Sequence, residues 1–431
     1  MTNFSLWKKA CVVLVLSAMT AIVSPAQTFT QLFQFDYADG GFPQPTSLVQ
    51  GIDGSFYGTT YVGGAYHLGT IFKITAAGTF TSLRSFDGPT GSHPFAGLIQ
   101  ATDGNFYGTT SGFGFLTPNH TPVFSGGNTY KIAPAGGPPT PLFTFCNHMS
   151  CIDGSEPHGA LVQAKNGIFY GTTSFGGANS VGTVFQMTAD GTLTTLYNFC
   201  AQTGCTDGAH PYAGLIQATD GNFYGATYQG GANNSGTIFE ITAAGALTTL
   251  YSFCAQAGCA DGSHPYAGLV QGTDENFYGT TYGGGAHNVG TIFKITSSGA
   301  LTTLYSLSGV DGANPYAGLV QATDGNFYGT TQNGGVNHRG TVFEITVAGT
   351  LTPLYDFCSQ TDCADGAYPR GGLIQGTDGN FYGTTENGGM MVNCSLCGKQ
   401  GEGTVFSLSV GLAPFAKDAS NAVDVKRSTI R

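Results

Sequence analysis

Seven Asp-Gly steps recur at one place in a repeating pattern: Asp39, Asp87, Asp153, Asp207, Asp261, Asp311 and Asp365. Six of them stand four residues ahead of a proline, as Asp207 does before Pro211. Carboxylates displayed in this way around one face would attract Ca²⁺ or a cationic partner. They serve equally as Asx-turns that fix a loop ahead of its proline. No copy carries the alternating oxygen ligands of a dedicated calcium loop, so turn formation is the reading the pattern favours.

Beside these aspartates, His93, His210 and His264 each precede a proline, and Phe95, Tyr212, Tyr266 and Tyr316 follow it. Asn314 and Tyr368 occupy the histidine position in other copies, so a shared metal site is not expected. The aromatic residues are suited to stacking on sugar rings or gripping a peptide, and equally to wedging one repeat against the next. Together with Asp207, Asp261 and Asp311 they form the candidate ligand face.

Catalytic signals are few. Beyond residue 26 the glutamates are Glu156, Glu240, Glu275, Glu344, Glu386 and Glu402. Glu240 and Glu344 share a strand position with Lys73, Lys131, Lys294, Gln186 and Ser407, the mixture expected of solvated strand residues. A paired-carboxylate glycosidase stays open as the alternative, because a ring-shaped fold brings distant acids together. No Gly-x-Ser-x-Gly elbow, His-Glu-x-x-His or phosphate loop occurs. No catalytic, cofactor-binding or metal-binding residue is therefore assigned.

Of eleven cysteines, ten lie beyond residue 26 and fall in local pairs: Cys146 and Cys151, Cys200 and Cys205, Cys254 and Cys259, Cys358 and Cys363, Cys394 and Cys397. An even count in an exported chain reads as disulfides. Repeats that lack one member of a pair lack both, which points to pairing within each loop. Zinc is the competing reading for Cys394 and Cys397, but no second ligand pair stands beside them.

These residues keep station with an eight-residue phrase exemplified by Asp220-Gly-Asn-Phe-Tyr-Gly-Ala-Thr227. Its Phe-Tyr pairs begin at Phe56, Phe106, Phe169, Phe223, Phe277, Phe327 and Phe381, at intervals of 50, 63, 54, 54, 50 and 54 residues. Such self-similarity marks a repeat architecture. Each unit reads as four strands, here Leu193 to Phe199, Gly214 to Gln217, Phe223 to Thr227 and Gly236 to Thr242. Asp220-Gly221 is read as a two-residue hairpin. Adjacent Phe and Tyr point to opposite faces of a strand, so both faces of the sheet must be buried.

Four antiparallel strands per unit, repeated seven times, predict an all-β, seven-bladed β-propeller. Phe29 to Phe35 is an isolated copy of the outer strand, and the C-terminal unit lacks one, so the N-terminal strand is expected to complete the last blade and close the ring. Strand order then puts the cysteine loops and the Gly-Gly loops on one face and only tight turns on the other.

The ends and the composition bound the class. Lys8-Lys9, an apolar run from Ala10 to Val23, and Ser24-Pro25-Ala26 read as a signal peptide over residues 1–26. Residues 27–410 are then the propeller and 411–431 a polar tail. Only 9% of residues are charged, and the net charge of −11 becomes −13 once Lys8 and Lys9 are removed, which argues against nucleic acid. No second apolar run is present, so no stable membrane insertion is expected.

The pattern G-L-x-Q-x-x-D-G-N-F-Y-G-T-T, followed by G-G and G-T-x-F-x-I, resembles the GloVer tandem repeat of exported bacterial proteins of the choice-of-anchor type. The resemblance spans Phe29 to Ser409 and implies a propeller fold. It brings no reaction and no catalytic residue. The expectation is a secreted, periplasmic or surface-located monomer without cofactor. It would act as a non-catalytic binding module for an extracellular protein or polysaccharide, the alternative being a secreted polysaccharide hydrolase or lyase.

Overall fold

The computed structural model describes residues 27–43, 47–112, 115–116, 122–123, 126–147, 151–389 and 401–415. The proposed signal segment, Cys394, Cys397 and residues 416–431 lie outside them. Seven antiparallel sheets of four strands form the seven blades of a β-propeller. In the fourth blade the strands run Ile216–Gln217, Phe223–Thr227, Thr237–Ile241 and Leu247–Ser252, in that order from the centre outward. The seventh is completed as expected: Thr28–Gln34 pairs with Thr404–Ser409, with Thr28 opposite Ser409 and Gln34 opposite Thr404.

The Phe-Tyr phrase forms the second strand of every blade, and all five residues of Phe223–Thr227 are buried. Because the two rings face opposite ways, each Tyr meets the Phe of the next blade. Tyr224 stacks on Phe277 at 4.1 Å between ring centroids, and Tyr278 on Phe327 at 4.0 Å. The series continues unbroken to Tyr382 on Phe56, at 3.9 Å. Each such pair contributes about 1 kcal/mol beyond the area it buries. The core accordingly consists of clusters between blades, such as Tyr224, Ile238 and Phe253 with Phe277 and Phe293.

The inner strands carry a second closed ring. Each has one Gln, whose side-chain oxygen accepts the N–H of the preceding blade's turn: Thr219 N to Gln271 at 3.0 Å, Thr273 N to Gln321 at 2.9 Å. Thr377 N to Gln50, at 3.0 Å, closes the circle. The same Gln donates to its own turn, as Gln217 Nε2 does to the Gly221 carbonyl at 3.1 Å.

The tight turn differs from the expected two-residue hairpin. Ala218 N bonds to Asn222 O and Gly221 N to Ala218 O, so three residues, Thr219 to Gly221, make the loop. Only Gly221 needs a positive φ, +89°, and the Asp220 carboxylate caps Asn222 N at 2.9 Å. This is a type I turn with a left-handed third residue, the next most common solution after the primed turns.

Candidate functional site

The long-loop face is built from one recurrent corner. In each blade the residue before the proline has a left-handed backbone: Phe42, His93, Glu156, His210, His264, Asn314 and Tyr368 all have φ between +51° and +57°. A non-glycine residue held there costs on the order of 1 kcal/mol or more. Two hydrogen bonds pin the corner. His210 N donates to Val181 O of the preceding blade at 2.8 Å, and Tyr228 N of its own blade donates to His210 O at 3.0 Å.

The residue after that proline is delivered to the channel mouth, just before the inner strand. There the structure brings Phe95, Tyr212, Tyr266 and Tyr316 into one arc, with two residues that the sequence pattern did not single out. Phe95 lies 4.4 Å from the His158 ring, and His158 is stacked on Tyr212 at 5.4 Å. Tyr212 is stacked on Tyr266 at 4.7 Å, Tyr266 lies 3.9 Å from Tyr316, and the Arg370 guanidinium sits over Tyr316 at 5.1 Å. The His158 side chain is only 9% exposed, and the other five are half-buried. His158 and Arg370 occupy the same place after the proline as the tyrosines; aligning the repeats by that proline, whatever the residue type, would have found them.

A second tier comes from the ends of the second strands. Tyr61 meets Phe95 edge-on at 6.1 Å, Tyr228 meets Tyr266 at 5.7 Å, and Tyr282 meets Tyr316 at 6.3 Å. At the seventh blade this tier is ionic. Arg370 pairs with Glu386 at 3.0 Å, and its other nitrogens reach the Gln332 side-chain oxygen at 2.8 and 2.9 Å. Burial pushes Tyr266 far above the usual phenol range and Tyr316 up to about 12, so both hydroxyls stay protonated.

Ser174, His158 and Glu156 line up in a way that invites comparison with a hydrolase triad. His158 Nδ1 is 2.9 Å from Ser174 Oγ, and its Nε2 is 3.7 Å from Glu156 Oε2. The polarity is wrong for nucleophilic attack. Ser174 is fully buried and its hydroxyl donates to the Pro211 carbonyl at 2.9 Å, so it accepts from His158 instead of giving up its proton. Burial lowers the His158 imidazole to about 4, leaving it neutral.

Asp207, Asp261 and Asp311 work inside their loops in the opposite direction from an Asx-turn, whereas Asp87 accepts forward, from Thr90 N at 3.0 Å, as the turn reading expects. Asp207 is fully buried; it accepts from Tyr197 Oη at 2.8 Å and from the N–H groups of Ala201 and Gln202, which precede it. Asp261 repeats this with Tyr251, Ala255 and Gln256, and Asp311 with Tyr305 and Ser308. His93, His210 and His264 sit at separate corners, their rings against Tyr61, Phe175 and Tyr228. Among the described residues no three His, Cys, Asp or Glu side chains converge to hold a metal. Disulfides join Cys146 to Cys151, Cys200 to Cys205, Cys254 to Cys259 and Cys358 to Cys363.

The sequence matches the Gloeobacter/Verrucomicrobia repeat over residues 19–115, 112–260 and 254–419. The chain belongs to that family. Among solved structures, this family member is similar to a streptogramin B lyase, with 17% identity, a TM-score of 0.57, and 89% of this chain and 97% of that one covered. It is also similar to the extracellular domain of a putative one component system from B. thetaiotaomicron, at 9% identity and a TM-score of 0.55, covering 88% of this chain and 39% of that one. At such identities the likeness concerns the fold alone. No curated protein matches the sequence.

Proposed function

We propose that this Gloeobacter/Verrucomicrobia repeat protein is an exported, non-catalytic binding module whose ligand docks at the mouth of the channel on the long-loop face. The observation that carries this reading is the half-buried aromatic arc from Phe95 through His158, Tyr212 and Tyr266 to Tyr316, ended by Arg370. Aromatic faces and hydroxyls held on a rigid scaffold suit ligands with flat, partly apolar surfaces, among them sugar rings and extended peptides. The pinned corners preorganise the arc, so little conformational freedom is lost on binding. Export is supported by the N-terminal charge and hydropathy pattern. The four disulfides fit an oxidising compartment, and no helix among the described residues is long and apolar enough to cross a membrane.

The test is a screen of the purified protein against glycan arrays and chromogenic polysaccharides, repeated with Tyr212→Ala and Tyr266→Ala. Saturable binding without turnover, weakened about tenfold or more by either substitution, is the expected result, since an aromatic contact of this kind is worth about 1–3 kcal/mol. Release of reducing ends would overturn the non-catalytic assignment. Binding indifferent to both substitutions would move the site elsewhere.

A further inference from the structure

The closing strand leads into a loop unlike its counterparts. From Phe35 to Gly40 it is four residues shorter than the loop from Phe199 to Gly208, and it holds no cysteine. Two other loops are equally short. In them Gly88 and Gly309 take the left-handed position and donate to Gly91 O and Gly312 O at 3.1 Å; here Tyr37 takes it, with a φ of +70°, and donates to Gly40 O at 3.1 Å. That conformation disfavours a bulky side chain, so a tyrosine where the fold elsewhere uses glycine points to a task for the ring.

Gly64 N, in the Gly-Gly loop of the first blade, donates to Tyr37 O at 2.8 Å and fixes the two loops side by side. In the longer loops a disulfide-bonded cysteine stands at this place, as Gly231 N to Cys205 O at 2.9 Å illustrates. Where the first blade lacks that loop, an open cavity of about 530 Å³ remains, lined by Asp36, Tyr37, Ala38, Ala65, His67 and Ser85. Its size lies within the range of about 300–1,000 Å³ usual for ligand pockets.

The walls have a definite chemistry. The Tyr37 and His67 rings stack on one another at 5.4 Å, inclined by 26°, and both line the cavity. Ala38 and Ala65 add apolar surface. The exposed Asp36 accepts Asp39 N with Oδ1 at 3.0 Å, which leaves acceptor capacity on its second oxygen, and no lysine or arginine pairs with it among the described residues. Ser85 Oγ accepts Ala65 N at 3.1 Å and keeps a proton to donate. Aromatic and alanyl surfaces suit the C–H face of a pyranose, and a carboxylate beside them takes its hydroxyl protons. The same carboxylate repels an anionic sugar.

We propose that this cavity is a sugar site, separate from the channel mouth, in which a neutral pyranose ring lies against Tyr37 and His67 with its hydroxyls on Asp36 and Ser85. Saturation-transfer difference NMR tests it, with glucose, galactose, mannose and N-acetylglucosamine as probes and glucuronate as the anionic reference. At least one neutral sugar is expected to bind saturably, and glucuronate roughly tenfold more weakly or not at all. Two substitutions spare the loop: Tyr37→Gly removes the ring and suits the left-handed backbone, and Asp36→Asn keeps the oxygen that caps Asp39 N. Each should weaken the neutral sugar roughly tenfold with melting unchanged, while Tyr212→Ala at the mouth leaves that binding intact. Binding indifferent to both Tyr37→Gly and Asp36→Asn overturns the proposal. If that binding is instead lost in Tyr212→Ala, the sugar belongs to the mouth and only the cavity site falls. Glucuronate bound as tightly as glucose refutes the part given to Asp36, and failure of all four neutral sugars refutes the site.

Discussion

Glu402 shows how one residue sets a condition on the whole ring. It stands where other blades place Leu68, Val181 or Val289. Its carboxyl is fully buried with no hydrogen-bond donor among the described residues. The facing position in the first blade is Gly41, and a Cβ there would lie 2.5 Å from Glu402 Oε2, so the glycine makes room for the acid. Burial raises this carboxyl to about 7. Between its ordinary value near 4.5 and 7 the unfolded chain ionises while the folded chain keeps its proton. Stability from this site is therefore complete below about pH 4.5 and is lost as pH rises to about 7. Glu402→Leu should raise the melting temperature at about pH 8, and the gain should narrow as pH falls to about 4.5. A gain of the same size at both values would show that the carboxyl does not titrate there.

Among the elements, the disulfide loops are the most legible feature of the sequence and the least consequential for stability. The four pairs were readable because each closes over four intervening residues, so no long-range information was needed. The short span also limits their effect to about 2 kcal/mol apiece on the chain-entropy estimate. Most of these loops are also held by a buried aspartate, such as Asp207 on Tyr197 and Ala201. Reduction should lower the melting temperature and increase proteolysis at residues 200–206 and 254–260 while the sheet circular dichroism persists. Loss of sheet signal on reduction would show that the bridges hold the blades. The strands, their order and the closing strand were legible too, from the period of the Phe-Tyr phrase and the complementary chain ends. The glutamine ring was not, although the glutamines recur visibly, because each bonds to a turn in the neighbouring repeat, about a full period away. The mouth was half legible: Tyr212 and Tyr266 share a residue type, whereas His158 and Arg370 break it. The direction of the aspartate bonds was missed because a carboxylate can cap N–H groups on its N-terminal side as readily as those on its C-terminal side.

For the molecule as a whole, cohesion comes from seven equivalent joints, and one of them depends on the N-terminal strand. Phe29 stacks on Tyr355 at 4.0 Å, and Phe33 on Phe80 at 3.8 Å, so this strand reaches the sixth blade on one side and the first on the other. Removing residues 27–35 would leave Thr404–Ser409 as a bare edge and strip aromatic partners from both neighbours. The truncated protein should aggregate or melt roughly 10 °C lower, the scale of shift that losing several kcal/mol brings to a large domain. An unchanged melting curve would contradict closure through this strand.

The glutamine circle carries a different implication. Every one of its bonds runs from a turn to the inner strand of the next blade, always in the same sense, and Thr377 to Gln50 obeys the same rule as Thr219 to Gln271. Within this circle the joint between the last blade and the first is made by the same bond as the others, so the glutamine ring has no preferred starting spoke. Circular permutation is the natural consequence: with Ser409 tethered to Thr28 and the chain opened in the loop after Ser306, every glutamine would find the partner it has now.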